Sequence, residues 1–284
     1  MTRLREEEIC KIACDLEAYD EMLIKKTGVT LRGLACLAAG IDEQNFVRLA
    51  AVCRAAVVPI SSGEGIINGF SRVVRKILVH LGVRTTITVD SDVTGLTQAY
   101  REKKELVFLA DDRKFIAINT IDRTVQDNAQ ATGAGYAWGL NLMAGGLKDR
   151  SVLVMGLGPV GSSAARMISR LGGRVSVCDI DETVLKRFEK QLNEREAERI
   201  TIENNSGAFI GRYRLLLDAT PAPNLIRDEH IYPDTFVSAP GIPLGLTDQA
   251  VFNLSSNHFL HDLLEIGVAT MTAASLKRLT CIED

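Results

Sequence analysis

Three features of this 284-residue sequence predict an α/β fold in two domains. Val152 to Met155 form a four-residue apolar run, short enough for a strand buried on both faces, and lead directly into Gly156-x-Gly158-x-x-Gly161. A helical pattern follows with apolar Ala164, Ala165, Ile168 and Leu171. Gly172-Gly173 ends it, and Val175, Val177 and Cys178 read as the next parallel strand, closed by Asp179. Upstream, short apolar runs alternate with helical patterns, which gives the first half strands and helices of its own.

Strand, glycine loop, helix, strand and acid in this order are the context of a dinucleotide fingerprint. Gly156 allows the tight turn, Gly158 lets the backbone approach a pyrophosphate, and Gly161 lets helix and strand pack closely. Pro159 and Val160 lie within the loop, and the pyrophosphate is expected on the helix N-terminus, where free N–H groups and the dipole favour an anion. Asp179 is placed for a ribose 2′-hydroxyl. A carboxylate there repels a 2′-phosphate, and no Arg or Lys follows through Leu185, so NAD is favoured over NADP. Asp181 is a neighbouring candidate whose plainer reading is the N-cap of a helix starting near Glu182. The expected fold is therefore a C-terminal Rossmann dinucleotide-binding domain, residues 148–284, with an N-terminal α/β substrate and lid domain, residues 1–147.

Composition is that of an ordinary globular protein, with 46% hydrophobic and 24% charged residues. A net charge of −3 gives no reason to expect nucleic acid or an anionic membrane as partner. No apolar run is long enough to span a bilayer and the first eight residues are not a signal peptide, so a cytoplasmic location is expected. The six cysteines form no CxxC pair, and no metal site is expected. Cys10 and Cys14, one helical turn apart, read as core or interface cysteines.

In chain order, Arg5 to Leu23 reads as an amphipathic helix broken at Thr27-Gly28. Helices over 31–39 and, behind Asp42, over 43–54 complete a helical opening. Ala55 to Ile60 is a buried strand that runs into Ser61-Ser-Gly-Glu-Gly65 and a helix carrying Ile66, Phe70, Val73, Ile77 and Leu81. Ser61 and Glu64 have the spacing of a capping box at the start of that helix. Ser62 has no such duty and sits where a strand hands over to a helix, which makes it the better ligand candidate. Arg84 to Val89 and Leu106 to Ala110 are further apolar runs. Phe115 to Asn119 continues as a strand, so Asp111-Asp-Arg-Lys114 is a short hairpin-like connection whose acids are turn residues or ligands with equal weight. Asp127 or Asn128 is positioned to cap the helix that ends at Met143, and the domains join near 145–149.

Beyond Asp179 a helix over 184–196, a short strand at Ile200 and a strand over 214–218 are expected. The last of these runs into Ala219-Thr220-Pro221. Another strand, Phe236 to Ser238, runs into Ala239-Pro240-Gly241, and both loops are expected at the pyrophosphate edge, near ribose and nicotinamide. Glu265 to Ala273 reads as a helix returning to the domain seam. No lysine or histidine stands in a catalytic motif: His80, His230, His258 and His261 read as structural or exposed.

With these stretches assembled, the chain resembles the pyrrolysine synthase family over most of its length. The resemblance rests on Val57 to Ile67, Ala110-Asp111-Asp112 with Phe115 to Asn119, Asp127-Asn128 with Thr132, Gly133 and Tyr136, the Gly156–Gly161 loop, Asp179 to Asp181, Ala219 to Pro221, Ala239 to Pro243 and Leu264 to Thr270. It implies an NAD-dependent dehydrogenase. The implied substrate is an isopeptide, L-lysine carrying 3-methyl-D-ornithine on its ε-nitrogen, oxidised at the terminal amine to an imine or semialdehyde that closes to L-pyrrolysine. By motif match it also implies substrate-site roles for Ser62, Asp111, Asn128 and Leu4, the last in an N-terminal helix that caps the site. The residues agree with this chemistry: a carboxylate such as Asp111 or Asp112 attracts a cationic substrate, and intramolecular ring closure needs no lysine base. Two other classes stay open at this point, another NAD-dependent amino-acid or imine dehydrogenase and a non-catalytic NAD-binding regulator. A homodimer is compatible with the sequence and not required by it.

Overall fold

A computed structural model of the chain describes residues 9, 12, 15–203 and 209–278. The chain divides into two compact units, one made of Met1–Glu21, Val29–Thr132 and Leu263–Asp284, the other of Met22–Gly28 and Gly133–Asp262. This division differs from a boundary at 147/148. The helix Asn128–Met143 is cut after Thr132, and the C-terminal helix belongs with the first half. Among the described residues no helix is long and apolar enough to cross a membrane.

The first unit is built on a five-stranded sheet of order β2-β1-β3-β4-β5, with β1 Arg54–Val58, β2 Arg84–Ile87, β3 Leu106–Ala110, β4 Phe115–Asn119 and β5 Thr124–Asp127. β1 pairs in parallel with β2 and β3, while β4 and β5 return antiparallel through short turns. β1 is buried over Ala55 to Val58 and β3 over Leu106 to Phe108, as expected of strands covered on both faces. Helix α1 (Leu16–Thr27) starts behind Asp15, whose Oδ1 accepts from Glu17 and Ala18 N–H at 3.0 and 3.1 Å; Arg5, where the sequence pattern begins, lies outside the described residues. Helix α2 (Leu31–Ala39) is capped by Thr30 and stopped by Gly40 at φ 67°; α3 (Glu43–Val52) is capped by Asp42.

Helix α4 spans Phe70–His80, later than the sequence pattern suggests. Ser61 therefore caps no helix, and the Ser61–Glu64 spacing belongs to an irregular turn. Helix α5 (Asp92–Arg101), opening on a residue at φ 55°, and strand β5 are not marked by the apolar pattern. Gly95 sits inside α5 because a Cβ there would lie 2.3 Å from Asp90 O and 2.9 Å from Val58 Cγ1. A helix-weakening residue here allows close contact with β1. The C-terminal helix α11 (Glu265–Lys277), numbered in chain order after the helices described below, is buried from Glu265 to Ala273. Its backbone is tied into this unit by Asn119 Nδ2, which donates to Ser275 O at 3.1 Å.

The second unit has a six-stranded, all-parallel sheet of order β11-β10-β9-β6-β7-β8. The strands are β6 Ser151–Met155, β7 Arg174–Cys178, β8 Ile200–Ile202, β9 Leu215–Asp218, β10 Phe236–Ser238 and β11 Phe259–Leu260. The order reverses beside β6, which places a topological switch point at the carboxyl end of the strand that precedes the glycine loop. Helix α6 (Asn128–Met143) leads into the unit, α7 (Pro159–Arg170) follows β6, and α8 (Glu182–Lys190) and the short α9 (Glu194–Ala197) follow β7. One continuous helix to Glu196 is prevented by Asn193, which caps α9 in a capping box with Glu196. Helix α10 (Asp248–Asn253) and β11 have no clear sequence signal; the strand is only two residues long.

Candidate functional site

In the second unit the sequence-predicted loop has the geometry its glycines require. Gly156 adopts φ +83°, and a Cβ on it would meet Ala219 O and Thr220 Cγ2 at 3.0 Å. A Cβ on Gly161 would lie 1.8 Å from Gly156 O, so only glycine lets α7 start this close to β6. Gly158 differs in kind: a Cβ there would meet no atom of the described residues within 4 Å. Nothing among the described residues demands glycine at 158, and the open space suits a ligand that approaches the backbone. Gly158 is also the N-cap of α7 and makes no side-chain cap; Pro159 occupies the first turn and Val160 follows, half-buried. The helix N-terminus is therefore left for an anion.

Asp179 stands immediately after β7. Its Oδ2 accepts from Leu157 N–H at 2.6 Å and its Oδ1 from Asp181 N–H at 2.9 Å. The carboxylate thus fixes the glycine loop and remains half-exposed. Asp181 caps α8 through Thr183 N–H at 2.8 Å, and that bond with the Thr183 hydroxyl holds its carboxyl below the usual range. Ala219 N–H donates to Met155 O at 2.9 Å, so the Ala219-Thr220-Pro221 loop springs from the strand beside the glycine turn. Pro240 is half-buried, and Gly241, which is buried, donates its N–H to Asp218 O at 3.0 Å. These residues fit a dinucleotide: an uncapped helix start, an open glycine, a carboxylate at the end of the second strand, and two loops beside them.

The first unit gathers polar residues at the carboxyl ends of β1, β2 and β3. Ser61 N–H and Oγ–H donate to Asp92 at 2.8 and 2.5 Å, and Ser91 Oγ–H adds a bond at 2.8 Å. Hydrogen bonds from the Ser61 side chain, Ser61 N–H and Ser91 hold the Asp92 carboxyl below its ordinary range. Glu64 N–H donates to Asp112 Oδ2 at 2.8 Å, and Gly63 is at φ +72° with that carboxylate where a Cβ would stand. Ser62, between these anchors, is exposed, and among the described residues its hydroxyl has no hydrogen-bond partner. Asp111 accepts from Lys114 and Arg113 N–H at 2.7 and 2.8 Å, which keeps its carboxyl ionised well below neutral pH. It is a turn residue and an exposed fixed charge at once.

The pairing of Leu109 with Ile116 and of Ile116 with Asp127 brings the start of α6 to the same sheet edge. Ser62, Asp111 and Asn128 are thus assembled at one edge of the first unit's sheet. Asn128 is only 6% exposed; its Nδ2 donates to Thr132 Oγ1 at 3.4 Å and its Oδ1 would stand 2.9 Å from a Cβ on Gly267. Asp127, not Asn128, serves the helix start, accepting from Ala129 N–H at 2.8 Å. Leu4 lies outside the described residues. Asp92 carries no sequence signal: it lies 31 positions from Ser61 and belongs to no motif.

The histidines are engaged in packing. His80 Nε2 meets Asp20 Oδ2 at 2.8 Å, His261 Nδ1 meets Ala239 O at 2.7 Å, and His258 lies on the Phe236 ring at 3.9 Å. His230 accepts from Arg227 N–H at 3.1 Å, and burial pushes its pKa down. Cys36, Cys53 and Cys178 are buried free thiols, pushed up to about 12 by burial. Among the described residues no group of three His, Cys, Asp or Glu is placed to hold a metal ion.

Comparison with known proteins bears on both units. Residues 8–126 match the family described as pyrrolysine biosynthesis protein PylD, N-terminal domain, and residues 124–232 match the alanine dehydrogenase/PNT C-terminal domain. Pyrrolysine synthase of Methanosarcina barkeri is 28% identical over 273 residues, 95% of this chain and 97% of that protein. Its namesake from Methanosarcina acetivorans is 28% identical over 249 residues, covering 87% and 89%. Quinate dehydrogenase from Corynebacterium glutamicum, solved in complex with NAD, shares the fold at a TM-score of 0.54 and 14% identity over 78% of this chain and 92% of that one. Shikimate dehydrogenase from Aquifex aeolicus does so at a TM-score of 0.54 and 12% identity, covering 80% and 91%.

Proposed function

We propose, on the premise that this chain belongs to the pyrrolysine synthase family, that it is a nicotinamide-dependent dehydrogenase of pyrrolysine biosynthesis. In the full reading it uses NAD and acts on L-lysine-Nε-3R-methyl-D-ornithine. The observation that carries this is the Gly156–Gly161 turn, whose central glycine faces open space, with Asp179 bound to its backbone. The α7 N-terminus with Pro159, Val160 and Gly161 takes the pyrophosphate, Asp179 the ribose, and Ala219 to Pro221 with Pro240 and Gly241 the remainder. A carboxylate at 179 with Asp181 and Glu182 beyond it favours NAD over its 2′-phosphorylated relative.

The chemistry the dinucleotide supplies when bound is acceptance of a hydride from the carbon bearing the ornithine's terminal amine. The chain's own residues bind and orient. Asp111, ionised across the neutral range, attracts the cationic isopeptide, and Ser62 offers a hydroxyl held in place by the turns on either side of it. Asn128 supplies an amide at the same edge, and Leu4 belongs to the same reading. The oxidised substrate closes on its own α-amine with loss of ammonia. Both groups are part of one molecule, so positioning replaces a strong base.

The test is absorbance at the NADH band with NAD and lysine-Nε-D-ornithine, followed by mass analysis of the product. NADH together with a product that has lost ammonia and two hydrogens is the expected result. NADH without the ring product moves the chain to another dehydrogenase. Dinucleotide binding with no reduction by this or any free amino acid makes it a regulator.

A further inference from the structure

Asp218 ends β9, and its side chain is fully buried. Its Oδ1 accepts from Thr220 N–H at 3.0 Å and from Thr220 Oγ–H at 2.7 Å. Its Oδ2 is equally buried and has no hydrogen-bond partner among the described residues. Burial raises the carboxyl to about 6. A buried carboxyl with one oxygen unmet is a poor way to fill a core, because the charged form is desolvated without full compensation. An apolar side chain would serve stability better, so another reason for the carboxyl is required.

Three loops meet on this residue. Asp218 pairs with Met155, the residue before Gly156, and the next residue, Ala219, donates to Met155 O at 2.9 Å. The carbonyl of Asp218 accepts from Gly241 N–H at 3.0 Å, and a Cβ on Gly241 would lie 2.3 Å from Thr220 O. Gly245 rests against the carboxylate so closely that a Cβ there would stand 1.8 Å from Oδ2. The glycine turn, the Ala219–Pro221 loop and the Ala239–Gly245 loop are thus registered on one side chain.

We propose that Asp218 is a positioning residue for the dinucleotide: its carboxylate, bonded to Thr220 and packed on Gly245, sets the two loops beside the glycine turn in the shape that receives the cofactor. This rests on the reading of the second unit as dinucleotide-binding. The side chain does not touch the ligand; it acts through Thr220 and the Gly241–Gly245 segment.

The test compares Asp218→Asn and Asp218→Leu, measuring the NAD dissociation constant, the melting temperature and the kcat against KM for NAD. Asp218→Asn keeps an acceptor for Thr220 and is expected to bind NAD within about threefold of the wild type. Asp218→Leu removes the acceptor and is expected to weaken NAD at least about tenfold, with kcat at saturating NAD little changed and a melting temperature no lower than that of Asp218→Asn. Thr220→Val, which deletes only the hydroxyl donor, reads the same contact if Asp218→Leu fails to fold; about threefold weaker binding is expected. NAD affinity equal to wild type in folded Asp218→Leu, or in Thr220→Val should that protein not fold, overturns the proposal. A folded wild type that binds neither NAD nor NADP overturns the reading beneath it and the proposal with it.

Discussion

Two turns in this chain do the same structural job by different means. Ser61–Gly65 and Gly156–Gly161 each follow a parallel strand and each lead toward a helix. The second is shaped from within: Gly156 and Gly161 have backbone oxygens or loop atoms where side chains would be, and the turn closes because those side chains are missing. The first is shaped mainly from outside, by Asp92 at the start of α5 on Ser61 and by Asp112 beyond β3 on Glu64, and its one omission, at Gly63, makes room for the Asp112 carboxylate. A turn made by omission is written in consecutive residues. A turn made by borrowed acceptors can be tuned from a distance, and Ser62 is left exposed between two tied neighbours.

The sharpest break in this contrast comes from the glycines. Gly161→Ala must push against Gly156 O and is expected to cost about 1–3 kcal/mol of stability and to abolish measurable NAD binding. Gly158→Ala meets no atom of the described residues, so calorimetry should find its melting temperature within about 2 °C of wild type while NAD binding weakens at least about tenfold. Normal NAD affinity in Gly158→Ala would mean that the open glycine faces no ligand.

The two regions also carry opposite pH signatures. Asp218 has a carboxyl raised by burial to about 6, so its contribution to stability is full below the unfolded pKa, near 4, and is lost as pH rises through about 6. The gap between those two values corresponds to at most about 3 kcal/mol. Asp92 and Asp111 are lowered by hydrogen bonds, so their contribution is present above the unfolded pKa and is lost on acidification through the folded one. Denaturant melts from pH 4 to pH 7 should show a falling component that Asp218→Asn removes and Asp92→Asn does not. Persistence of that component in Asp218→Asn would assign it elsewhere.

Asp92→Ala releases Ser61 and is expected to lower kcat/KM for the isopeptide about tenfold or more, with NAD affinity within about twofold. Equal losses for both ligands would indicate general loosening instead. Smallest is Ser62→Ala, which removes one exposed hydroxyl. A rise of about threefold to tenfold in the isopeptide KM is expected, read by initial rates at saturating NAD.

The same contrast explains what the sequence discloses. The glycine turn, its flanking strands and Asp179 were legible because strand, loop and helix signals are local and consecutive. The β3–β4 hairpin was legible for the same reason. Helix α5 was not, since Thr94, Gly95 and Thr97 weaken its local signal, and its place is set by contact with Asp90 O and Val58. Ser61 looked like half of a capping box, because S-x-x-E spacing is ambiguous until the helix start is known; the helix begins nine residues later, at Phe70. Asp92 and Asp218 carry tertiary duties with no sequence pattern around them. Asn128 was singled out by its motif, but only the fold reveals that it stands at the same sheet edge as Ser62 and Asp111 and that its amide is packed against Gly267.

The return of α11 to the first unit has a consequence for how the protein is made. Residues 133–262 form an insertion within a unit whose remaining parts come from earlier and later in the chain. A ribosome that has released Asp262 has delivered every strand of the nucleotide unit, whereas the earlier sheet still lacks the helix that buries Ile266, Val268, Ala269 and Met271. During translation the older sheet is thus the last to be finished, and apolar surface awaiting α11 is a natural place for a chaperone to wait as well.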